Sequence, residues 1–80
     1  MNPAVRSDLL ESMGLVGRGL GVLQGAAVRT GRGQEMATLE MRLAMLRARL
    51  QAGSTGPQLL AGVRLFIEDF EEFVSQLAVR

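Results

Sequence analysis

Two runs of large apolar side chains, each fitted to the other, restrict this chain's fold more than any other feature. Met36, Leu39, Leu43, Leu46 and Leu50 recur at alternating spacings of three and four, and so do Leu59, Val63, Phe66, Phe70, Phe73 and Leu77. That alternation marks one stripe of an α-helix, the a and d positions of a heptad. Antiparallel helices pair residues whose numbers have a constant sum, and 36 with 73, 39 with 70, 43 with 66, 46 with 63 and 50 with 59 all give 109. The two runs predict an antiparallel helical hairpin over residues 34–79. Its turn falls at Gly53, Ser54, Thr55, Gly56 and Pro57, where Gly53 stops one helix, Ser54 or Thr55 caps the next, and Pro57 suits its first turn.

The charges beside the seam agree with that pairing. Glu35, Arg42 and Arg49 lie on one flank of the first run, with Glu40 and Arg47 on the other. A parallel homodimer through this seam would set Glu35 against Glu40 and Arg42 against Arg47, both repulsive. In the hairpin, Arg42 instead comes opposite Asp69.

Upstream, Leu9, Met13, Val16, Leu20, Leu23 and Ala27 continue the same spacing and predict a further helix over about residues 8–28. Asn2 before Pro3 is one start signal, and Asp8 with Glu11 three residues on is a capping-box variant. The linker is RTGRG, residues 29–33. Gly14, Gly17, Gly19, Gly21 and Gly25 all fall inside this helix, and each costs about 1 kcal/mol relative to alanine. A glycine-rich loop after a short helix at 8–13 is the competing reading. The in-register apolar stripe favours the helix, with Gly17, Gly21 and Gly25 as a glycine-zipper groove packing on the hairpin or on another copy. The expected fold is all-α: one domain, residues 1–80, of three helices.

Further apolar residues lie off these seams. Met41, Met45, Ala48 and Ala52 form a second stripe on the middle helix, and Leu60, Ile67 and Val74 widen the seam of the last one. A helix apolar on two faces is usually covered on both. Gly17, Gly21, Gly25, Met41, Met45, Leu60, Ile67 and Val74 are therefore the expected interface residues, buried as a third layer of core or against a partner.

Composition removes most chemistry. The 80 residues contain no cysteine, histidine, lysine, tryptophan or tyrosine, and all nine basic residues are arginine, as in GC-rich bacterial or phage coding sequences. Ser7, Ser12, Ser54 and Ser75 thus have no histidine or lysine to activate them. Glu68, Asp69, Glu71 and Glu72 cluster as a solvated helix face rather than a metal site, and no cofactor is expected. A lysine-bearing phosphate loop is excluded, and the third glycine of G-x-G-x-x-G falls on Val22 or Gln24. Nucleic acid is disfavoured by a net charge of only +1 and by the absence of exposed stacking aromatics, all three Phe being on the seam. Charge is nevertheless divided: residues 1–52 hold seven Arg and four acids, and residues 53–80 two Arg and four acids. That division suits self-association or a polarised protein partner.

Residues 9–28 have the length of a membrane span, but Arg18 sits at their centre and Glu11, Ser12 and Gln24 interrupt them. Attachment to a membrane surface through this helix is the alternative to protein association. The polar, cap-like start MNPAVRSDLLES differs from a signal peptide, so the expected location is cytoplasmic, with peripheral membrane attachment under the alternative.

The hairpin sequence, LEMRLAMLRARLQAG leading into LLAGVRLFIEDFEEFVSQL, resembles the small cochaperones of type III secretion needle subunits. That resemblance implies a helical adaptor that shields an apolar partner helix. GVLQGAAVR followed by a heptad helix is similar to the start of ubiquinone-biosynthesis accessory factors, which implies membrane association. Neither carries a functional residue over to this chain. The combined expectation is a non-enzymatic interaction module, an oligomeric scaffold or cochaperone-like adaptor.

Overall fold

The computed structural model describes residues 2–53 and 56–78, which form three α-helices: α1 Pro3–Arg29, α2 Gly33–Gln51 and α3 Pro57–Ala78. The described residues contain no strand.

α1 begins five residues before the expected start at residue 8. Asn2 is extended (φ −64°, ψ 136°), its Oδ1 accepts from the Ala4 N–H at 2.8 Å, and Pro3 occupies the first turn. A cap has to leave the helical conformation, and Asn2 already does so upstream of Asp8. Asp8 and Glu11 are consequently ordinary exposed helix residues rather than a capping box. At the other end Gly31 turns left-handed (φ +76°), letting the Arg32 N–H reach back to the Ala27 carbonyl at 2.7 Å, while the Thr30 hydroxyl donates to the Ala26 carbonyl at 2.9 Å. This Schellman-type stop shortens the linker to Thr30–Arg32. Gly53 (φ +89°) follows the end of α2 in the same way, its N–H donating to the Leu50 carbonyl at 3.2 Å. The expected cap at Ser54 or Thr55 and residue 79 lie outside the described residues.

The seams meet as their spacing requires. Met36, Leu39, Leu43 and Leu50 of α2 are buried with Leu59, Val63, Phe66 and Phe73 of α3, and Leu46, Phe70 and Leu77 pack at the margin. The register is marked by Arg42, whose Nη1 lies 2.8 Å from Asp69 Oδ2 and whose guanidinium stands 5.5 Å from the centre of the Phe66 ring. α1 closes the open edge of this hairpin. Met13, Leu20 and Ala27 are fully buried, and Leu9, Val16 and Leu23 pack beside them.

Burial explains why a helix with five interior glycines persists. Those glycines cost about 5 kcal/mol relative to alanine. Met13 and Leu20 return a similar amount, about 3–6 kcal/mol between them. The partly buried Leu9, Val16 and Leu23 then tip the balance, so α1 depends on the hairpin.

As a groove that packs on the hairpin, the glycine-zipper expectation needs correction. A Cβ at Gly17 would lie 3.3 Å from Leu43 Cδ2, but one at Gly21 would meet nothing within 4 Å, and one at Gly25 would meet only Arg29 of its own helix. Residues four apart drift by about 40° around a helix, so the stripe leaves the interface after its first member. The close contact to the third helix comes from Gly19, where a Cβ would stand 3.7 Å from Phe70 Cζ. Gly17 and Gly19 thus flank the buried stripe, one toward α2 and one toward α3.

Three outcomes follow for urea unfolding. Gly21→Ala, placed in open space, should raise stability by about 0.5–1 kcal/mol, and Gly17→Ala by less because Leu43 must shift. Phe66→Ala, at a position with 0% exposure, should cost about 3–5 kcal/mol.

Candidate protein-interaction surface

With the core closed by α1, the second stripe of α2 remains outside. Met41 is 66% exposed and Met45 55% exposed, so the first helix of the same chain does not cover them. This corrects the expectation of a third core layer within one chain. Ala48 and Ala52 are exposed on the same face.

Met45 borders a shallow groove of about 180 Å³ between α2 and α3, lined by Arg42, Met45, Leu46, Arg49, Gly62 and Leu65. Gly62 deepens it, since a Cβ there would touch Leu46 Cδ2 at 3.6 Å. Leu65 is 54% exposed and stands across from Met45. Its role was hidden in the sequence because it is the neighbour of seam residue Phe66. One residue is a rotation of about 100°, which carries it from the core to the α2 edge.

Beyond Arg42 the same α2/α3 surface turns acidic. A groove of about 330 Å³ there includes Glu35, Asp69 and Glu72 beside Arg42, with Thr38 and Gln76 at its rim. The two grooves share Arg42, so one surface is apolar and arginine-edged at one end and carboxylate-lined at the other. Arg32 crosses toward α3 and donates to Gln76 at 2.7 Å, and its guanidinium also lies 3.3 Å from Glu35.

The other expected interface residues separate. Ile67 packs against the core and Val74 is half-buried, whereas Leu60 is exposed. Ile67 and Val74 are thus partly buried rather than free surface. Gly21 and Gly25 lie on the outward side of α1, as do Leu15 and the 84% exposed Val22. Glu68, Glu71 and Glu72 are exposed, and the described residues contain no group of three or more acidic side chains placed to share a metal ion. No helix among the described residues is long and apolar enough to cross a membrane.

Comparison of the chain with protein-family models, with curated proteins and with solved structures finds no match, and neither family resemblance gains support from it. The surface is accordingly read from its own residues.

Arg42 is the charged residue on which both grooves converge. Its bridge to Asp69 is a third or more exposed on each side, which limits its strength. A double-mutant cycle with Arg42→Ala and Asp69→Ala should give a coupling of about 0.5–1 kcal/mol that shrinks in high salt.

Proposed function

We propose that this chain is a non-enzymatic helical association module, serving as an oligomeric scaffold or a cochaperone-like adaptor. The observation that carries the reading is the exposure of Met41 and Met45 outside a core that the three helices have already closed. Isolated exposed apolar residues are ordinary, but these two share a helix face with Ala48 and Ala52, and Met45 lines a groove with Leu65. Methionine suits such a surface because its unbranched, polarisable side chain adapts to the partner it meets. The arginine and carboxylate ends of the α2/α3 face would orient that partner.

The test replaces both residues. A Met41→Glu, Met45→Glu variant should keep its helical circular dichroism and unfold within about 1 kcal/mol of the parent, as surface changes do. It should also lose any association that the parent chain displays by light scattering. Collapse of the helical signal would assign both methionines to core and refute the reading.

A second reading rests on α1, where Leu15 and Val22 point outward from a helix whose inner stripe is already buried. Attachment to a membrane surface through this face would bring the chain down with anionic vesicles. Retention in the supernatant at every lipid concentration would eliminate it.

A further inference from the structure

The outer face of α2 is a complete second heptad seam, and it is complementary to itself. Gln34, Thr38, Met41, Met45, Ala48 and Ala52 are all exposed and follow spacings of four, three, four, three and four. Set antiparallel to a copy of itself, this seam falls into register, because 34 with 52, 38 with 48 and 41 with 45 each sum to 86. The methionines meet in the two central layers. Thr38 and Gln34 then meet alanines, which are small enough to let two helices approach closely.

Charge selects the antiparallel orientation. The flank of this seam nearer α3 carries Glu35, Arg42 and Arg49, seven residues apart, whereas the opposite flank carries Ala37, Ala44 and Gln51. Parallel pairing sets each charged flank against the uncharged flank of the other copy and forms no ion pair. Antiparallel pairing sets the two charged flanks together in reverse order, so that Arg49 meets Glu35 of the second copy and Glu35 meets its Arg49. Arg42 then approaches Arg42, but each of these guanidiniums is already held by Asp69 at 2.8 Å. Glu35 has only an exposed contact to Arg32 at 3.3 Å, which leaves its carboxylate accessible to a second arginine.

We infer that α2 docks antiparallel on the α2 of a second copy through the Thr38, Met41, Met45 and Ala48 layers, with reciprocal Arg49–Glu35 pairs as its orienting charges. This inference rests on the reading of the outer stripe as an association surface and names its occupant. A helix of 19 residues is about 28 Å long. One helix on one helix covers less than the roughly 1,200–2,000 Å² of a standard stable interface, so the dimer dissociates on dilution.

The experiment is a concentration series by sedimentation equilibrium on the full chain and on charge variants at these exposed positions, each verified as helical by circular dichroism. The parent should move from 8.6 kDa toward twice that mass as concentration rises. Arg49→Glu alone and Glu35→Arg alone each convert both attractive pairs to repulsive ones and should weaken the dimer about tenfold. The chain carrying both changes restores two reciprocal pairs and should regain the parent affinity. A dimer abolished by Met41→Glu with Met45→Glu but indifferent to the charge changes overturns the antiparallel docking and leaves the stripe reading standing. A parent that stays monomeric into the millimolar range overturns self-association and assigns the stripe to a different protein. A dimer that survives the methionine changes overturns both readings.

Discussion

The structure depends on the packing of α1 into the open edge of the α2/α3 hairpin. A two-helix hairpin cannot cover the broad apolar face of α3, and α1 cannot hold its own helix against five interior glycines without apolar contacts. Each half lacks what the other supplies. Met13, Leu20 and Ala27 are buried in the shared core, with Gly17 set closely against Leu43 of α2 and Gly19 at ordinary contact distance from Phe70 of α3. Of the five glycines that weaken the helix locally, only Gly17 has a neighbour from another helix that would have to give way to a side chain.

This arrangement decides what α2 shows to solvent. All three seams point to one interior, so the middle helix spends its Leu39, Leu43 and Leu50 face on the core and keeps Met41 and Met45 outside. Had α1 packed on the far side of α2, the methionines would have been core and the wide face of α3 would have remained open. The Arg42–Asp69 bridge sits at the boundary between inside and outside, with its guanidinium over Phe66. It links the register of the hairpin to the charge pattern of its outer surface.

The hairpin was legible because pairwise register leaves an arithmetic trace: the constant sum of the seam positions anticipates the buried set, and the register it fixes brings the flanking Arg42 near Asp69. The existence of α1 was legible from the same periodicity, and its start was misplaced because two capping signals compete within the first eleven residues. The extended backbone of Asn2 resolves that competition. The side of the hairpin that α1 covers left no comparable trace, since glycines at four-residue spacing look alike whether they face a neighbour or solvent. For the same reason the sequence does not separate Gly21 and Gly25 from Gly17, and the adjacency of Leu65 to a seam residue hides its exposure.

Mutual dependence of α1 and the hairpin is the central claim, and native-state hydrogen exchange measures it most directly. If α1 is held by its packing, the amides around Met13 and Leu20 should exchange with the same free energy and the same denaturant dependence as those around Leu43 and Phe66, all opening in the global unfolding reaction. Fast exchange throughout α1 while α2 and α3 remain protected would contradict the account, and would mean that the hairpin stands without it.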